Sequence, residues 1–156
     1  MTEKELTFLV VLDDSKEIFN ALRYAAQRSA RANGRVALLY TFETLEFSHW
    51  KAVEDIAERE SREEAESKIK EYENYVLTFS NKKPKKFIMK GDRLECIIKF
   101  LGANKFISNF VLAASTNRSS GDPLISAFTL KQSDKIKVPI TIIPPLLTEE
   151  EIDKLS

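Results

Sequence analysis

The chain has one cysteine, one histidine and only four glycines in 156 residues, and each scarcity removes a class of function. Cys96 has no second cysteine for an internal disulfide and no partner for a Cys/His metal site, so a reducing, cytoplasmic compartment is the simple expectation. His49 is the lone histidine. No Ser or Cys nucleophile stands near it in a recognised motif, which argues against a hydrolytic triad. No grouping of His, Asp and Glu has metal-ligand spacing. No apolar run approaches the roughly 20 residues needed to cross a bilayer. The charged stretch Met1–Glu5 does not read as a signal peptide. There is also no excess charge of either sign, with Lys plus Arg at 24 and Asp plus Glu at 24. A phosphate-reading nucleic-acid binder normally carries a basic surplus, so neither nucleic acid nor membrane is an expected partner. Zero net charge gives little colloidal repulsion and favours self-association.

What is present is the composition of a folded domain, 43% hydrophobic and 31% charged, in a chain of single-domain length (1–156). Leu6–Leu12, Val36–Phe42, Lys85–Lys90, Phe110–Ala113 and Val138–Ile143 read as short strands, several of them continuous apolar runs of the kind buried on both faces. Helical stripes alternate with them. Ile18, Leu22, Ala25 and Ser29 share one helical face, closed by Asn33-Gly34, a pair suited to a left-handed turn. Ala65, Ile69, Tyr72, Val76 and Phe79 form a second stripe. Its leading half, around 58–64, is polar nearly all round and carries Glu–Lys and Glu–Arg pairs at i, i+4. Leu94, Ile97, Ile98 and Leu101 form a third. Asp14 with Glu17, Asp92 with Glu95, and Thr148 with Glu151 all have capping-box spacing. Asp122-Pro123 starts a short helix with proline at its first position. Strands alternating with helices imply right-handed βαβ units and a parallel sheet, hence an α/β fold.

Several segments taken in order resemble the universal stress protein family. They are Leu12-Asp13-Asp14-Ser15 followed by Ala21–Ala26, Leu38-Leu39-Tyr40, Gly91-Asp92 with Glu95 and Ile97-Ile98, and Val138–Ile143. The resemblance spans almost the whole chain. It implies an open, Rossmann-like five-stranded parallel sheet in order 3-2-1-4-5 with helices on both faces, of the adenine nucleotide alpha hydrolase-like kind. It also implies a homodimer, a regulatory role in stress response and, in some members, ATP or AMP in the crevice between strands one and four. Ligands of open α/β sheets favour that switch point on physical grounds as well.

ATP-binding members carry three glycines after strand four, whose small size lets backbone amides close on phosphates. Aligned on strand four, this sequence has Ala113 and Thr116 at the first pair and Ser126-Ala127 at the second, so all three glycines are absent. Asp13 matches the family's aspartate at the end of strand one, and Thr41 falls where an adenine-lining residue sits. Ser115, Thr116, Arg118, Ser119 and Ser120 offer hydroxyls and a guanidinium beside a helix N-terminus, which suits an anion. The other reading of that stretch is a hydrophilic loop. Asp13 equally reads as a strand terminator. The nucleotide-contacting candidates are thus Asp13, Ser15, Thr41, Ala113, Ser115, Arg118 and Ser126. No catalytic residue is assigned and no enzyme is expected, because nothing places a general base beside an oriented nucleophile.

The basic run Lys82–Lys86 reads as a solvated turn beside strand three, whose lysines discourage pairing at one sheet edge. Strand five should be the other edge. It carries no charge from Val138 to Leu147, and Val138, Ile140 and Ile142 are the expected homodimer contacts. Cys96 reads as a small buried hydrophobe.

Overall fold

A computed structural model of the chain describes residues 4–44, 50–116 and 123–156. Five strands, β1 (Thr7–Leu12), β2 (Arg35–Phe42), β3 (Lys85–Lys90), β4 (Asn109–Ala113) and β5 (Ile140–Ile143), form one sheet in the order β3-β2-β1-β4-β5. Every neighbouring pair is parallel. All strands therefore start at one end of the sheet, the amino end, and finish at the carboxyl end. This is the order that the resemblance implies. Between and after the strands lie α1 (Ile18–Arg31), α2 (Lys51–Leu77), α3 (Arg93–Ala103), α4 (Pro123–Ser126) and α5 (Glu149–Leu155).

Strand residues alternate between two cores. Phe8, Val10 and Leu12 of β1 and Val36 and Leu38 of β2 pack under α1, α2 and α5, where Leu22, Ala25, Ile69, Val76 and Ile152 close the layer. Leu9 and Val11 of β1, with Ala37 and Leu39 of β2, face the opposite layer of Ile97, Phe100, Leu101 and Phe128. All six residues of β1 are buried, which explains its unbroken apolar run. Full burial of each such leucine contributes about 1.5–3 kcal/mol.

The helix signals are met unevenly. Asp92 accepts from the Glu95 amide at 3.0 Å, and Thr148 with Glu151 forms a reciprocal capping box. The Asp14–Glu17 box does not form. The Asp13 carboxylate instead takes the amide and hydroxyl of Ser15, and α1 begins at Ile18 without a side-chain cap. Asp and Ser readily satisfy local backbone groups in this way, and the resulting turn delays the helix. β5 is shorter than its apolar run suggests. Pro139 has no N–H for a ladder, and its carbonyl already accepts from Phe110 at 2.9 Å, so pairing starts at Ile140.

Asn33 ends α1 in the left-handed region at φ 52°. Gly34 follows pressed against the start of β1. A Cβ there would lie 2.2 Å from the Leu6 carbonyl oxygen, so no side chain fits. α5 lies along α1. Arg23 holds Asp153 through two nitrogens at 2.6 and 2.8 Å, and Arg31 reaches the backbone carbonyl of Ser156. β3 and β5 are the sheet edges. Lys86 and Lys90 of β3 pair with Glu73 and Glu58 of α2.

Candidate functional site

The crevice forms where the strand order reverses. β1 and β4 are paired only from Phe8↔Asn109 to Val10↔Val111, although β1 runs on to Leu12 and β4 to Ala113. Past that register the two strands part, and the loops after them face each other.

The β1–α1 loop is built inward from its own side chains. Asp13 Oδ1 accepts from the Ser15 amide at 2.9 Å and from the Ser15 hydroxyl. Its backbone carbonyl accepts from the Tyr72 hydroxyl of α2 at 3.1 Å. Burial raises the Tyr72 phenol's pKa, and the nearby charges of Asp14 and Asp13 raise it further, so it stays a donor. Asp14 pairs with Lys68 at 3.4 Å. The ammonium of Lys68 also lies 6.0 Å from the Tyr40 ring centre, and the Tyr40 hydroxyl and Asp14 together push its pKa up.

The crevice is bridged at its mouth. Thr116, after β4, donates its hydroxyl to Glu17 Oε1 at 3.1 Å. Glu17 stands at the N-terminus of α1, where a carboxylate complements the helix dipole. Its pKa is lowered, chiefly by its own backbone N–H and then by Thr116. An anionic group of the protein thus holds the position beside α1 that a ligand anion would seek. Asp13, Asp14 and Glu17 make this end acidic.

The expected contact residues divide into groups. Asp13 and Ser15 touch one another. Thr41 is buried on β2, one step beyond the Leu12↔Tyr40 pair and hence level with Asp13. Ala113 ends β4 paired to Ile143 of β5, and Ser115 follows two residues later. Ser126 is exposed on α4, whose Leu124 and Ile125 face the core. Arg118 and His49 lie outside the described residues. Glu17 and Tyr72 were not among the sequence candidates. Tyr72 had a signal, since a buried phenol needs a hydrogen-bond partner. Glu17 had only its capping-box spacing, which pointed elsewhere.

Cys96 is buried, its thiol raised in pKa by burial and near the Lys90 carbonyl at 3.7 Å. A raised pKa leaves little thiolate and little reactivity. Among the described residues no group of three His, Cys, Asp or Glu is arranged to hold a metal ion. No helix among them is long and apolar enough to cross a membrane.

Comparison with known proteins gives a consistent result. The family model described as "Universal stress protein family" matches residues 6–100, from the approach to β1 through most of α3. No curated protein matches the chain. Among solved structures, the universal stress protein UspA from Lactobacillus plantarum is 18% identical at a TM-score of 0.72, covering 91% of this chain and 99% of that one. A universal stress family protein from Burkholderia pseudomallei is 18% identical at a TM-score of 0.62, covering 92% and 99%. A universal stress protein in complex with cAMP is 12% identical at a TM-score of 0.62, covering 90% and 98%. At these identities the structures speak for the fold, and the match over residues 6–100 speaks for descent. The chain belongs to the universal stress protein family.

Proposed function

We propose that this protein is a homodimeric regulatory module of the stress response that acts through its surfaces, with a nucleotide crevice that has degenerated. The observation that carries this reading is the Glu17–Thr116 bridge. It sets a carboxylate at the crevice mouth, and Thr116 stands where nucleotide-binding relatives carry a glycine. Ala113, Ser126 and Ala127 replace or flank the remaining glycine positions, so no bare backbone cradle is offered to phosphates. The dimer contact is β5. Among the described residues it pairs only with β4, Ile140 is half-buried, and Ile142 remains 39% exposed at the open edge. A two-fold axis there would pair an uncharged strand with itself. A cytoplasmic setting fits the single buried thiol.

The second reading is an ATP- or AMP-binding regulator. Asp13 keeps its Oδ2 without a hydrogen bond among the described residues, and one structural neighbour is described as a cAMP complex. Thermal unfolding with and without Mg-ATP, AMP or cyclic AMP separates the two. A ligand at about 100 times its Kd adds about 2.7 kcal/mol and raises the midpoint by several degrees. No shift that depends on Asp13 is expected with any of the three. A shift abolished by Asp13→Ala would overturn the degenerate-site reading. Light scattering tests the dimer separately, with twice the chain mass expected for the native protein and a single chain mass for Ile142→Lys.

A further inference from the structure

At the amino end of the sheet, opposite the crevice, a cavity of about 410 Å³ opens between the segments that lead into β1, β4 and β5. A parallel sheet forces these three connections together. β1, β4 and β5 are neighbours, and each must be approached from the same end. The connections bring four lysines to the rim: Lys4 before β1, Lys105 before β4, and Lys135 and Lys137 before β5. Among the described residues no Asp or Glu lines the cavity.

Some lysines of the molecule are already held in ion pairs. Lys68, Lys82, Lys86, Lys90 and Lys154 each stand within 3.5 Å of a carboxylate. None of the four rim lysines has such a partner among the described residues. The nearest acid before β1, Glu5, is turned to the other side of the strand by Arg35 at 3.0 Å and Lys82 at 3.2 Å. Like charges gathered on one concave rim focus their field into it and attract an anion. The wall also carries polar and apolar parts. Ser108 accepts from the Thr7 amide at 3.1 Å, which leaves its own hydroxyl proton to donate. Leu101, Ile107 and Val138 offer an apolar floor.

We infer that this basin binds a small phosphorylated polyanion, with two or more phosphoryl groups spanning the rim lysines. A cavity of this volume holds one small organic molecule, and a concave site suits that better than an extended chain. Lysine binds phosphoryl groups as a point charge with three donors. Two sources share the chemistry, an organic polyphosphate and an inorganic one. The inference is independent of the crevice and of the dimer.

Titration calorimetry on the full chain tests it, with magnesium-free ATP, inorganic tripolyphosphate and a short single-stranded oligonucleotide as parallel arms. The proteins are the native chain, the Lys135→Gln/Lys137→Gln double variant and Asp13→Ala. One polyanion per chain is expected, weakened about tenfold by loss of two exposed charges, weakened further by added salt, and unaffected by Asp13→Ala. ATP binding more tightly than tripolyphosphate assigns the apolar floor to an organic body. Equal affinities assign recognition to the phosphoryl chain alone. Both substitutions are exposed, so the urea midpoint of the double variant should stay close to native. The inference is overturned if neither polyanion binds, if the double variant binds as well as the native chain, if Asp13→Ala abolishes binding, or if only the oligonucleotide binds.

Discussion

The two ends of the sheet make the informative comparison. At the carboxyl end the loops after β1 and β4 meet over a crevice edged by Asp13, Asp14 and Glu17, each tied to Ser15, Lys68 or Thr116. At the amino end the loops before β1, β4 and β5 meet over a basin edged by four lysines. The chain's net charge of zero says nothing of this local difference, because it counts acids and bases without placing them. Topology makes the carboxyl end the customary ligand site. In this molecule local chemistry opposes topology. The carboxyl-end crevice is bridged by the Thr116–Glu17 hydrogen bond, and four lysines gather at the other end.

The sharpest way to break the amino end is Gly34→Ala. The new Cβ would fall 2.2 Å from the Leu6 carbonyl, so the approach to β1 must shift. The expected loss is about 1–3 kcal/mol, read as a lower urea midpoint with an unchanged slope. At the carboxyl end, Tyr72→Phe removes the hydroxyl that holds the Asp13 carbonyl. It should cost about 1 kcal/mol and should raise hydrogen exchange first in the β1–α1 loop. Glu17→Gln sharpens the electrostatic side of the comparison. It keeps an acceptor for Thr116 and removes the charge, so stability should change by no more than about 0.5 kcal/mol. If the carboxylate is what excludes anions, this variant should gain a thermal shift with Mg-ATP beyond any that the native chain shows.

The smallest effect concerns α5, which runs beside α1 from one end of the sheet towards the other. Arg23 and Gln27 hold the Asp153 carboxyl down from its ordinary 3.8 to about 2. A depressed pKa means that the folded state binds the proton less readily than the unfolded one. The stabilisation is therefore complete above about pH 4 and lost as pH falls through about 2. The carboxyl is exposed, so solvent screens the pair and the effect should be slight. Acid unfolding followed in the native chain and in Asp153→Asn should differ only in that window, with the variant losing the extra slope.

The sequence made some of this legible and left the rest to three-dimensional context. The strands were readable because most are apolar runs bounded by turn residues, and β3 keeps a short apolar centre between lysines; the alternation with helices pointed to a parallel sheet. The order of the strands was not readable from the residues themselves and came from the family resemblance. Thr148–Glu151 behaved as its spacing implied. Asp14–Glu17 had the same spacing and failed, because Asp13 and Ser15 offered a tighter local bond one residue earlier. Of the candidate contacts, Asp13 and Ser15 were each named from the sequence, but their bond to one another was not. Glu17 meeting Thr116 was not, since 99 positions separate them. The lysine basin was invisible for the same reason. Its members come from three connections, and only the common direction of the strands gathers them.

The turn at Asn33-Gly34 bears on how the molecule ages. An asparagine followed by glycine is open to deamidation, in which the glycine nitrogen attacks the side-chain amide, expels ammonia and leaves an imide that reopens as isoaspartate. Here the Gly34 nitrogen donates to the Ser29 carbonyl at 2.7 Å, and the next amide, Arg35, donates to Leu6 at 2.8 Å. The nucleophile is held on the helix end, and the backbone has no room to swing towards the side chain. The folded protein is thereby protected at its most vulnerable peptide link, while any chain that lingers unfolded accumulates damage there. Isoaspartate at position 33 would then serve as a chemical record of time spent unfolded.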